Sequence, residues 1–149
     1  MQNSGTPGAT SFLSYNYLPK YAFQNKGGAN TGYFYHSKWV SNWPTYIWMK
    51  FAKPHRISQL GFTSSQNRYA PRRFNIVGSS NCTEPWTVLR HVADAGFPNN
   101  YAGKVFKTWI VPQEKRQAFP CIGLEVESIL DGAPYVLLYN IQMWEEVLG

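Results

Sequence analysis

Apolar and polar residues alternate along this chain with a period of two, and almost nowhere with the three-to-four spacing of an amphipathic helix. In residues 45–51, Ile47, Met49 and Phe51 share one side of an extended backbone. In residues 121–128, Ile122, Leu124 and Val126 alternate with Glu125 and Glu127, as a strand with one face in a core and one in water requires. Five more runs read as strands: 57–62, 73–79, 86–92, 105–111 and 135–144. Turn-rich stretches such as Asn25-Lys26-Gly27-Gly28-Ala29-Asn30 and Phe97-Pro98-Asn99-Asn100 separate them. Many short strands without intervening helices predict an all-β sandwich or barrel.

A length of 149 residues suits one domain, so the whole chain, 1–149, is expected to fold as a single unit, with its Gly/Ser/Thr-containing first eight residues flexible. Aromatic residues make up 17% of the chain and charged residues 15%, which excludes an intrinsically disordered or coiled-coil protein. No run approaches the roughly 18 apolar residues that a membrane-spanning helix needs, and the first twenty residues lack the basic-then-apolar order of a secretory signal.

Charge is unevenly placed. Residues 1–83 hold nine Lys/Arg and no Asp or Glu, whereas residues 84–149 hold five Lys/Arg and eight acids, within a net charge of +6. Paired-carboxylate hydrolysis therefore finds no candidates in the first half. The basic half suits an anionic partner such as a sulfated or sialylated glycan, a phospholipid surface or nucleic acid, or is simply solubilising charge. Catalytic signatures are missing: there is no GxSxG, HExxH, P-loop or GxGxxG, and His36, His55 and His91 have no neighbours at metal-ligand spacing. An enzyme is not expected. Two cysteines, Cys82 and Cys121, leave open one disulfide or two buried thiols. Asn81-Cys82-Thr83 matches an N-glycosylation acceptor, which fits a secreted setting.

The segment 22–39, Ala-Phe-Gln-Asn-Lys-Gly-Gly-Ala-Asn-Thr-Gly-Tyr-Phe-Tyr-His-Ser-Lys-Trp, runs into the strand Tyr46-Ile47-Trp48-Met49-Lys50-Phe51. This order resembles the discoidin or coagulation-factor type C domain, and within it the galactose-binding family 32 carbohydrate-binding modules. The likeness continues through Pro54 to Phe62, through the Phe-x-Ile-x-x-Ser run at 74–79 with Trp86 after it, and through the closing run 135–144, so it covers about 9–146. It implies a β-sandwich jelly roll of the galactose-binding-domain type, and a non-catalytic, lectin-like module that binds galactose-type or related glycans on loops at one end.

Residue by residue, the resemblance carries a ligand role to His36, Trp39 and Arg68, with Gln66, Asn67 and Phe97 beside them. The chemistry fits: a pyranose offers a C–H face to an indole ring and hydroxyls to charged donors and to amides. The family commonly holds a structural calcium near an early turn, but its Asp is replaced here by Gln24 or Asn25. Asn25, Asn30, Thr31 and Glu145 or Glu146 are the remaining candidate oxygen ligands, and no cofactor is required for binding. Relatives of this type also bind anionic phospholipids or proteins, with Trp43 or Phe97 as inserting spikes. A glycan is the expected partner, with an anionic glycan or membrane surface as the alternative and nucleic acid not expected. Weak single sites favour self-association or tandem display, and the setting is extracellular or cell-surface.

Overall fold

The computed structural model describes residues 5–11, 18–23, 35–37, 40, 42–64, 69–98, 105–130, 132 and 134–147. Within them lie eight strands: β1 (Thr6–Ala9), β2 (Tyr35–His36), β3 (Thr45–Ser64), β4 (Pro71–Ser79), β5 (Thr87–Val92), β6 (Phe106–Ile110), β7 (Ala118–Ile129) and β8 (Leu137–Glu145). Two 3-10 turns, Pro19–Phe23 and Gln113–Lys115, complete the described elements. Every strand pairing is antiparallel.

The organising element is β3, which belongs to both layers. Its first part pairs with β1 on one side (Ala9↔Ile47) and β7 on the other (Ile47↔Leu124). Beyond β7 lie β4 (Phe74↔Val126) and then β5 (Asn75↔His91). The second part of β3 pairs with β6 (Leu60↔Trp109) and β8 (Leu60↔Met143), and β8 with β2. The alternation predicted two strands, 45–51 and 57–62; the structure joins them into one bent strand. The corner is at Ala52, Lys53 and Pro54, all exposed, where the register to β7 shifts between Lys50 and His55. Proline suits a strand position that has no ladder partner, because it has no N–H to donate.

Between the layers sits one apolar core. Ile47, Met49 and Phe51 face it from one sheet and Leu60, Phe62, Trp109, Ile141 and Met143 from the other. Phe74 meets Phe62 edge-on at 5.4 Å and Trp109 at 4.9 Å, so rings from opposite sheets interlock. Each such fully buried side chain contributes roughly 1.5–3 kcal/mol.

Thr6–Gly8 fall in the stretch expected to be flexible, yet they form an edge strand, held by backbone pairing to 48–50. Pairing of this kind needs no apolar alternation, which is why the pattern missed it. The cysteines form a disulfide, Cys82–Cys121, with Cα atoms 5.4 Å apart and 39 residues of sequence separation. It ties the turn after β4 to β7, within the range of Cα separations that an unforced bridge needs.

Candidate functional site

Four connections leave the sandwich at one end. Backbone hydrogen bonds place their roots side by side: Ser64 N–H to the Val105 carbonyl (3.4 Å), Leu130 N–H to Ala70 (3.1 Å), Ser37 N–H to Val136 (3.1 Å) and Val40 N–H to Pro134 (2.8 Å). The connection after β2, the one between β3 and β4, the one before β6 and the one between β7 and β8 therefore open at a common rim. Loops carried by a rigid sheet end are where binding side chains are held in place at least cost to the core.

On this rim the backbone of His36 is firmly set. It pairs with Leu137, while its neighbours Tyr35 and Ser37 are buried, Tyr35 donating its hydroxyl to the Ser11 carbonyl (2.7 Å) and Ser37 Oγ accepting from the Val136 N–H (3.0 Å). Burial raises the Tyr35 hydroxyl pKa well above the usual tyrosine value, so it stays a neutral donor. Trp39, Gln66, Asn67 and Arg68 lie outside the described residues, but the positions that flank them, Ser37, Ser64 and Tyr69, belong to the same rim.

Phe97 is a correction. Expected as a ligand contact or a membrane spike, it is 5% exposed and packs in the core against Phe62 (5.6 Å) and Trp109 (6.3 Å). The Lys107 ammonium sits 5.7 Å from its ring centroid, and Ala95 N–H donates to the Arg72 carbonyl, pinning the preceding residues to the start of β4. A Phe-Pro-Asn-Asn run signals a turn, but turn chemistry does not say on which side the ring falls. Trp43, the other expected spike, is partly buried against the core.

Among the metal candidates, Asn25, Asn30 and Thr31 lie outside the described residues, and the Glu145 carboxylate is engaged by His55 Nδ1. Glu146, the alternative, is ion-paired to Arg56 and Arg116. No cluster of three or more metal-ligating side chains occurs among the described residues.

The structure adds residues that the sequence reading did not select. Leu137 and Tyr139 form a small buried cluster of their own with partly buried Tyr69 and Tyr135, whose rings meet edge-to-face at 6.1 Å. Tyr69 directly follows Arg68, and Tyr135 lies just before β8, the strand that pairs with His36. Two aromatic rings thus flank the rim. The available signal was the position of Tyr69 beside Arg68 in a polar loop.

No protein-family model matches the chain, and no curated protein matches it in sequence. Solved structures match it in fold. The CBM32-5 module of CpGH89 from Clostridium perfringens, in complex with GalNAc-β-1,3-galactose, superimposes with a TM-score of 0.71 at 15% identity, covering 96% of each chain. Chitosan-binding module 2 of a Paenibacillus sp. IK-5 chitosanase/glucanase, in complex with chitotriose, gives 0.69 at 12% identity over 95% of this chain and 96% of that one. A fucolectin from striped bass (Morone saxatilis) serum gives 0.68 at 12% identity, over 99% of this chain and 47% of the lectin. The chain therefore has the galactose-binding-like β-sandwich fold shared by family 32 carbohydrate-binding modules and F-type lectins.

Proposed function

We propose that this protein is a non-catalytic carbohydrate-binding module whose glycan sits on the rim formed by the four connections. The observation that carries this reading is the convergence at one sheet end of the strand termini that flank every loop assigned a ligand role. It is supported by sugar complexes of proteins with the same fold. In this reading Arg68 gives charge-assisted hydrogen bonds to sugar hydroxyls, His36 fixes an axial hydroxyl, Trp39 stacks on the C–H face, and Gln66 and Asn67 add amide contacts. A galactose-type end is the first ligand to test. The disulfide fits an oxidising, extracellular or cell-surface setting.

The competing reading, an anionic membrane or glycan surface, draws on the absence of acids before residue 84. With Phe97 in the core and Trp43 largely covered, it loses both of its inserting side chains. A glycan array run beside anionic liposomes at two salt concentrations separates the two. Salt-insensitive binding to neutral glycans, abolished by Arg68→Ala and by His36→Ala but retained in His91→Ala, is the expected result. Liposome binding that collapses with salt, or glycan binding unchanged in both rim variants, overturns the proposal.

A further inference from the structure

The outward side of the sheet built from β6, the second part of β3 and β8 can be followed residue by residue. Directly paired residues share a face, so Phe106 lies beside Thr63, Thr108 beside Gly61 and Ile110 beside Gln59. On the other flank Tyr139 lies beside Thr63, Gln142 beside Gly61 and Trp144 beside Gln59. The intervening Leu60, Phe62, Trp109, Ile141 and Met143 face the core. Asn140 is the extra residue of a bulge, in the left-handed conformation (φ 56°) that asparagine tolerates better than most residues. It lets Tyr139 and Gln142 point the same way although they are three apart.

This face is unusual in two respects. It leaves three large apolar side chains in water, Phe106 (41% exposed), Trp144 (38%) and Ile110 (58%). And its paired rows, from Thr63 to Gln59, hold no charged side chain although the chain carries +6. The polar groups present are hydroxyls and amides: Thr108, Gln59 and Gln142, the last donating to Asn140 Oδ1 at 2.8 Å. Gly61 forms the floor. A Cβ there would come within 2.7 Å of the Lys107 carbonyl and the Thr108 methyl and 2.9 Å of the Phe106 ring tip. Its absence lets Phe106 lie across β3 towards Trp144, their centroids 6.4 Å apart.

We infer that this face is a second contact surface for the same glycan, accommodating a neutral oligosaccharide chain that runs from the rim along β3 to Trp144. The inference rests on the rim being a sugar site. Three observations select this occupant. The strip is continuous with the rim, because Tyr139 at its upper end packs with Tyr69 and Tyr135. Aromatic faces alternating with amides and hydroxyls match a pyranose chain, whose rings are apolar on their C–H faces and polar at their edges. The lack of charge suits an uncharged polymer and offers nothing to a phosphate or sulfate. From Ser64 to Gln59 the strand spans roughly 17 Å at about 3.3 Å per residue, long enough for several sugar rings.

The test is a titration of the intact protein with galactose, GalNAc and glucose, and with their β-linked oligomers of two to five units. Affinity is expected to rise about tenfold from monosaccharide to tetrasaccharide. Trp144→Ala and Phe106→Ala should each collapse most of that gain, a loss of about 5–10-fold for the tetrasaccharide, consistent with one aromatic contact. Arg68→Ala should abolish binding at every length. Monosaccharide binding with no gain in chain length overturns the extended surface and leaves the rim standing. No binding at any length overturns both. A concentration-dependent dimer in sedimentation that Trp144→Ala disperses assigns the face to a second copy of this chain and overturns the inference.

Discussion

The two outer faces of the sandwich are built from the same kind of alternating strand and treated in opposite ways. On the β3–β7–β4–β5 sheet a single row of paired residues, Tyr46, Glu125, Asn75 and His91, is wired side chain to side chain across four strands. The Tyr46 hydroxyl donates to Glu125 Oε2 (2.6 Å) with Glu84 Oε1 at 3.0 Å. Asn75 Nδ2 donates to Glu125 (2.6 Å) and Glu127 (2.9 Å), and Asn75 Oδ1 lies 2.6 Å from His91 Nδ1. Desolvation first, then the Glu125 and Glu84 carboxylates, raises the Tyr46 hydroxyl pKa well above the usual tyrosine value, which keeps its proton in the network. Even the aromatics here are used internally, Trp86 stacking on Tyr46 at 5.1 Å and 17°. The opposite face spends no charge on itself and leaves its rings half in water. A face whose polar groups satisfy one another is a structural surface; one with exposed rings and neutral polar groups around them is available to a partner.

Of the effects expected on the two faces, the largest is on the wired one. The Cys82–Cys121 bridge anchors the turn that carries Glu84 and Trp86, and closing a loop with 39 residues of separation is worth about 3–4 kcal/mol in the chain-entropy model. A Cys82→Ala/Cys121→Ala variant should lose about that much in urea denaturation while its oligosaccharide affinity at 25 °C stays unchanged. An equal loss of affinity in the folded variant would show that the two faces are coupled and break the contrast.

Next in size is the centre of the row. Asn75 is 4% exposed and joins both carboxylates to His91. Asn75→Ala removes their donor and leaves two partly buried carboxylates each short of one partner, at a cost of about 1–3 kcal/mol. Denaturant midpoint reads the effect directly. A change under about 0.5 kcal/mol would mean that water replaces the amide freely and that the row is no more structural than the opposite face.

How much of this was legible depends on what carries each feature. The strands were legible because their inward residues alternate, as in Ile47, Met49 and Phe51. Even an irregularity of β3 left a trace: inward positions are odd-numbered up to Phe51 and Ile57, then even at Leu60 and Phe62, a change of phase where the register to β8 shifts between Ile57 and Gln59. β1 left none, since Thr-Pro-Gly-Ala is held chiefly by backbone pairing, with only Ala9 packed against the core. The sugar-site residues rest on resemblance and on chemistry, and the structure contributes the shared rim of strand ends that flank them and removes Phe97. The strip of Phe106, Gln142 and Trp144 was invisible for a simpler reason. Alternation says which residues face away from the core, but only strand order and register, through Gly61, show that outward residues on β6 and β8 meet across β3.

The smallest expected effect sharpens the comparison most. If the exposed rings are kept for a ligand, they contribute little to the fold, and truncating them should be almost silent in a stability measurement. Phe106 and Trp144 meet with ring centroids 6.4 Å apart, remain 41% and 38% exposed and lie outside the core cluster, so truncation opens no core cavity. Phe106→Ala and Trp144→Ala should therefore each shift stability by no more than about 1 kcal/mol, well below the scale of a core truncation. Phe97→Ala, an equally aromatic position buried in the core, should cost about 3–5 kcal/mol. Urea melts of the three variants, run with no sugar and then with saturating tetrasaccharide, provide the check. Sugar should raise the midpoint of the parent protein more than that of the Trp144 variant, because only binding to the folded state stabilises it and the variant binds more weakly. A loss of 2 kcal/mol or more in the sugar-free Trp144 variant would make the ring part of the fold and leave the two faces alike.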